Sequence, residues 1–178
     1  QRLRKQLHLL SVDFFDEVDD YLFSSSGGQR DTDNDFLKSM RELRTKQGLF
    51  EEHFLQEVVL RVKQSQSAQE HKSNSLEVSK SSLGTSFERI EIDLAVRAMQ
   101  RKSDKLYGHF YQQIDEFGAR AIEQSKRPVI ESRALVSAIL CGFQKAQNCL
   151  ILPLEVRLVV AKLFEQHFVL CLGKLYSD

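Results

Sequence analysis

The sequence predicts an all-α fold, a bundle of about five helices, some of them long, with a serine-rich mobile linker. Three observations predict it. The chain holds only 8 Gly and 2 Pro in 178 residues, so few breakers interrupt it, and an all-β fold would need many more turn residues. Apolar residues recur at steps of three and four over most of its length, the spacing of one helix face. Hydrophobic residues make up 42% of the chain, enough for a core, with 12 Phe as the main aromatic and no Trp.

The first helix carries Leu3, Leu7, Leu10, Phe14, Val18 and Leu22 on one face. Ser24-Ser25-Ser26-Gly27-Gly28 ends it, because serine competes for backbone hydrogen bonds and glycine takes positive φ readily. The second opens on Asp31-Thr32-Asp33-Asn34-Asp35, short polar and acidic groups suited to a helix N-terminus. Phe36, Met40, Leu43, Phe50, Phe54, Val58 and Val62 then keep the helical period to about Lys63, with a weak point expected at Gln47 and Gly48. These two segments predict an antiparallel hairpin over 1–64. Residues 64–86 hold 8 serines in 23 positions and little apolar content, so a linker is assigned to 65–85, with Leu76–Val78 as a short island that could dock on the core.

A three-helix part is expected over 86–178, packing with the hairpin. Thr85-Ser86-Phe87-Glu88 fits a capping box. Ile92, Val96, Met99, Leu106, Phe110, Ile114, Phe117 and Ala121 then form one stripe near 3.5 spacing, with Ser103 its polar position, over about 87–124. Pro128 marks a break. Leu135, Ile139, Phe143 and Ala146 make a shorter helix, and Pro153 suits the first turn of a last one. That last helix is apolar on several sides, with Val156, Leu158, Val159, Val160, Leu163, Phe164, Phe168, Val169, Leu170, Leu172 and Leu175, and is expected to be buried. Gly108, Gly118, Gly142 and Gly173 fall inside predicted helices at about 1 kcal/mol each relative to Ala, and close helix–helix approach accounts for some of them.

Lys+Arg and Asp+Glu both number 25, so the basic excess of a dedicated nucleic-acid binder is missing. Three cysteines, Cys141, Cys149 and Cys171, are an odd number with no Cys-x-x-Cys pair, which points to a reducing cytoplasm and away from a disulfide framework. No apolar run has the length of a membrane span, and the N-terminal stretch has no signal-peptide core. The chain begins at Gln1 and stops at Asp178 directly after the apolar run around Leu172–Tyr176, as expected of a piece of a longer protein.

Candidate chemistry is sparse. Asp31, Asp33, Asp35 and Glu42 have the acidic spacing of an EF-hand loop, but Phe36 stands where that loop needs glycine and Lys38 where it needs an apolar residue, so an acidic helix cap is the better reading. His167 and Cys171 lie four apart, yet no spacing gathers four zinc ligands, and core packing accounts for them. His53 and Glu57 are read as a solvated face. No nucleophile elbow, phosphate loop, dinucleotide fingerprint or His-Glu-x-x-His occurs. No cofactor and no metal is assigned. Basic clusters at Arg41, Arg44 and Lys46, at Arg97, Arg101, Lys102 and Lys105, and at Lys126, Arg127 and Arg133 are interleaved with other residues, and the middle one is the best candidate contact face.

The blocks Leu135–Phe143, Leu154–Val159, Lys162-Leu163-Phe164-Glu165 and Leu172–Tyr176, with Asp20-Tyr21-Leu22-Phe23 and Met40-Arg41-Glu42-Leu43-Arg44 earlier, resemble the domain-of-unknown-function family 1631, a bacterial family of large proteins. Two departures stand out: a serine-rich Ser75–Ser86 replaces an acidic run, and Ala161 replaces a tyrosine. The resemblance implies a helical fold in a longer bacterial cytoplasmic protein. Some relatives carry a thymidine phosphorylase label, which no glycine-rich phosphate-binding segment and no α/β alternation supports here.

The expectation is therefore a helical protein-interaction or scaffold module without catalysis of its own, docking on the remainder of its chain or on a partner, itself included. Phe164, Phe168, Leu172 and Leu175 are candidate interface anchors, with burial in the core as the competing reading. The alternatives are a regulatory module sensing a small ligand such as a nucleotide near Arg97–Lys105, tested by ligand-dependent thermal stabilisation, and an enzyme, tested by phosphate-dependent thymidine cleavage.

Overall fold

A computed structural model of the chain describes residues 2–26, 35–70, 87–125 and 132–169. Every regular element among them is helical: α1 (Arg2–Ser25), α2 (Asp35–Glu70), α3 (Phe87–Ser125), α4 (Ser132–Ala146) and α5 (Leu154–Phe164). A 3₁₀ turn, Gln147–Cys149, follows α4, and a π-helical turn, Glu165–Val169, follows α5.

The predicted stripes become the buried faces. In α1, Leu7, Phe14, Val18 and Leu22 are buried, and the buried Ser11 among them satisfies its hydroxyl by donating to the Leu7 carbonyl at 2.9 Å. In α2, Met40, Leu43, Phe50, Phe54 and Val58 are buried. The helix passes straight through Gln47 and Gly48, because packing on both sides outweighs the roughly 1 kcal/mol that one glycine costs. It also continues to Glu70, past the boundary at 64 expected from the serines, since no Gly or Pro stands between Lys63 and Glu70 to stop it. The Leu76–Val78 island, the Thr85-Ser86 cap, Pro128 and the residues after Val169 lie outside the described residues.

Polar contacts fix the helix directions. Asp19–Arg44 and His8–Glu51 pair α1 antiparallel to α2. Glu57–Lys145 and the Lys46 bond to the Cys149 carbonyl pair α2 antiparallel to the α4 arm, and Asp93–Gln144 and Asp104–Arg133 pair α3 antiparallel to α4. So α1 and α4 run one way, α2 and α3 the other. α5 packs against both α3 and α1. Leu154 opens it directly after Pro153, which has φ −56° and accepts from the Arg157 amide at 3.0 Å. Pro153 thus stands one residue earlier than the first-turn position expected for it.

One apolar cluster draws on all five helices. At its centre are phenylalanines from every helix but α3: Phe14 and Phe15, Phe50 and Phe54, Phe143, then Phe164, with Phe168 from the π turn. Phe164 stacks on Phe143 with centroids 3.9 Å apart, and on Phe168 at 4.3 Å. Offset and edge-on pairs of this kind add about 0.5–1.5 kcal/mol beyond burial. Gly142 lets α4 approach α2: a Cβ there would lie 2.8 Å from Val58 Cγ2 and 3.0 Å from the Phe54 carbonyl oxygen. Gly108 has no such role, for nothing lies within 4 Å of the position its Cβ would take.

The stripe of α3 is only half covered. Ile92, Met99 and Ser103 are buried, but Leu106 and Phe110, expected on the core side, are 47% and 55% exposed. Their place is taken by Tyr111, 1% exposed and hydrogen-bonded to Ser103. The reason is length. α3 has 39 residues, about 58 Å, against 15 residues and about 22 Å for α4. α4 lies along the Tyr107–Tyr111 side, where Asp115 caps its first residue by accepting from the Ser132 amide and hydroxyl at 2.9 and 3.0 Å. On the other side Lys102 pairs with Glu165 of the π turn, four residues before Leu106.

Candidate functional site

Three kinds of polar arrangement arise from this packing. The first is a pair of carboxylates held under basic lids. Glu57 is 7% exposed and accepts from Arg61 Nε one turn on and from Lys145 Nζ of α4, each at 2.8 Å. Burial pushes its carboxyl up, and the two cations together hold it below the ordinary glutamate value of 4.5. This corrects the solvated face expected for His53 and Glu57: His53 is exposed, but Glu57 is an interior node between α2 and α4. Glu165, 8% exposed in the π turn, is held the same way by Lys102 of α3 and by Lys162 at 3.4 Å, which outweigh its burial and lower its pKa. Both carboxylates are already satisfied and covered, so they fasten helices together and offer no acid/base pair to a substrate.

The second is a shallow open groove of about 590 Å³ between α1 and α2, lined by Arg4, Lys5, His8, Gly48, Glu51, Glu52, Leu55 and Gln56. His8 bonds Glu51 across it. An imidazole–carboxylate pair could move a proton, but the lining holds no Ser, Thr or Cys to serve as a nucleophile. His167 pairs with Glu17, joining the π turn to α1. Among the described residues no three His, Cys, Asp or Glu side chains gather as metal ligands. Asp31, Asp33 and Cys171 lie outside those residues, while Asp35, Phe36, Lys38 and Glu42 are turns of α2. Glu42 accepts from the Ile151 amide at 3.0 Å and from Lys46 at 2.7 Å, which clamps the α4–α5 connection onto α2 and lowers the Glu42 pKa, chiefly through Lys46.

The third is the outer face of α3. Phe87, Ile90 and Leu94 are 68%, 44% and 48% exposed. Arg97, Arg101 and Lys105 continue the same line, all exposed, and none pairs with another described residue. Lys102, expected with them, turns the other way to hold Glu165. The four expected basic contacts thus divide into three that face outward and one that serves the fold. Of the expected apolar anchors, Phe164 and Phe168 are 0% and 1% exposed inside the phenylalanine cluster, and Leu172 and Leu175 lie outside the described residues.

The family model described as the protein of unknown function (DUF1631) N-terminal domain matches residues 1–178. The chain belongs to this family. No curated protein and no solved structure matches it. Among its described residues this DUF1631 domain has no helix long and apolar enough to cross a membrane.

The residues that sequence reasoning missed are Glu57 and Glu165. Each stands at the edge of an apolar stripe, Glu57 between Phe54 and Val58 and Glu165 beside Phe164, and that position was the available signal. Their partners are 88 and 63 residues away, beyond the reach of helix periodicity.

Proposed function

We propose that this DUF1631 domain is a protein-interaction module of a larger bacterial cytoplasmic protein, docking through outward helix faces without catalysis of its own. The observation that carries the reading is the outer face of α3, where Phe87, Ile90 and Leu94 are exposed next to three cations that have no partner among the described residues. Contiguous exposed apolar residues rimmed by polar ones mark interaction surfaces. Two unbridged cysteines, Cys141 and Cys149, are in keeping with a reducing compartment. In this reading the anchors move from Phe164 and Phe168, which serve the core, to the exposed residues of α3.

A photo-cross-linking residue placed at Leu94, in cells that express the protein, tests the reading. A discrete protein adduct at Leu94, absent when the cross-linker replaces the exposed Ser137 of α4, is the expected result. No adduct at Leu94, or equal labelling at both positions, would overturn it.

A further inference from the structure

The outer face of α1 has the same lengthwise pattern as that of α3 with the opposite charge. Leu9 and Val12 are 55% and 38% exposed, and Asp13, Asp16 and Asp20 follow them on the same face, all exposed and unpaired with any described residue. From Leu9 to the end of α1 there is no Lys or Arg. On α3, Ile90 and Leu94 lead into Arg97, Arg101 and Lys105. From Leu9 to Asp20 and from Leu94 to Lys105 the chain advances eleven residues in each case, about 16 Å of helix.

Resting on the interaction reading above, we propose that the partner is a second copy of this chain, with the α1 face of one copy laid parallel along the α3 face of the other. In that register Leu9 meets Leu94, Asp13 meets Arg97, Asp16 meets Arg101 and Asp20 meets Lys105. Complementary charge sets both the register and the direction, since an antiparallel arrangement would put the aspartates against Leu94 and Ile90. The fold constrains the symmetry. Within one copy α1 and α3 run in opposite directions, so copies related by translation would present these faces antiparallel. A half-turn about an axis across the helices reverses the second copy and makes the contact parallel. Among the described residues no side chain pairs with the charges of either face: Glu17 and Asp19, the other acids of α1, are engaged with His167 and Arg44, and Lys102 with Glu165.

The experiment is light scattering across a concentration series at low and high salt, on the wild-type chain and two charge-reversed variants, R97E/R101E/K105E and D13K/D16K/D20K. The wild type should rise from one chain mass toward two or more at low salt and fall toward one chain mass at high salt, because exposed ion pairs are screened. Each variant alone, with like charges on both faces and its helical circular dichroism unchanged, should dimerise at least about tenfold more weakly. An equimolar mixture of the two should regain the dimer, since the basic α1 of one now fits the acidic α3 of the other. A wild type that stays monomeric at every concentration, a dimer indifferent to both reversals, or a mixture that stays monomeric would each overturn the pairing. Cross-linking separates this failure from that of the broader reading. An adduct at Leu94 with the mass of two chains supports both, whereas an adduct with a different protein and no self-adduct overturns the self-pairing and leaves the interaction module standing.

Discussion

Glycine in a helix has opposite consequences depending on what faces it. At Gly142 an added methyl would meet Val58 and the Phe54 backbone, which cannot yield without separating α2 from α4. Gly142→Ala should destabilise the chain by about 1–3 kcal/mol, the usual range for overpacking. Gly48 and Gly108 have open space in that direction, so Gly48→Ala and Gly108→Ala should each stabilise by about 0.5–1 kcal/mol through helix propensity and a less flexible unfolded chain. Urea midpoints of the three variants check this, and a Gly142→Ala midpoint at or above wild type would mean that α2 and α4 leave room for a methyl there. The buried carboxylates make a second residue-scale prediction. Glu57→Gln removes the charge that Lys145 and Arg61 share, but both cations reach solvent, so the cost should be about 1–2 kcal/mol at neutral pH. Glu57 and Glu165 both have folded pKa values below the ordinary 4.5, so their contribution is full above that value and is lost as pH falls through the folded values. Urea midpoints that drop below about pH 4.5 in wild type should therefore drop less in a Glu57→Gln/Glu165→Gln variant, and parallel curves would show that these two groups do not govern acid stability.

At the scale of the element, α3 separates two neighbours that periodicity alone assigns the wrong way round. Phe110 lies on the predicted stripe and is 55% exposed, whereas Tyr111, off the stripe, is 1% exposed. Phe110→Ser should change stability by no more than about 0.5 kcal/mol, while Tyr111→Ala should cost about 3 kcal/mol or more through the cavity and the orphaned Ser103 hydroxyl. Comparable losses from both would place Phe110 in the core after all. The contrast shows what could be read in advance. The faces of α1 and α2 were legible because Leu7 to Leu22 and Met40 to Val58 are buried at the sequence period, so pattern and contact run together. α3 outlasts its cover, and the length of α4 and the endpoint of α5 are facts about other segments. The outward cations Arg97, Arg101 and Lys105 were legible as a cluster, but the departure of Lys102 from it depends on Glu165, far along the chain. The end of α2 lies beyond the expected boundary for a simpler reason: serine lowers helix propensity by only a few tenths of a kcal/mol, which a helix already under way tolerates.

The whole molecule raises the question of whether the hairpin and the C-terminal helices are separate units. Phe50 and Phe54 of α2 pack against Phe143 of α4, Phe164 of α5 and Phe168 of the π turn, and Phe14 of α1 joins them edge-on at 5.7 Å from Phe164. Cutting the chain in the 71–86 stretch would therefore strip each part of more than half its described ring contacts and leave Glu57 without Lys145. A lone two-helix hairpin buries too little apolar surface to offset its chain entropy. Segments 1–70 and 87–178 made separately should each lose the cooperative urea transition of the intact chain, and mixing them should restore it, at a concentration-dependent midpoint because the join is now bimolecular. Circular dichroism at increasing urea reads all three cases. A hairpin that unfolds cooperatively by itself at the midpoint of the intact chain would mean that the phenylalanine cluster is an interface between two independent units. Loss of the transition in both parts with recovery on mixing means that one core holds the chain together, and that the faces of α1 and α3 are presented by a single scaffold.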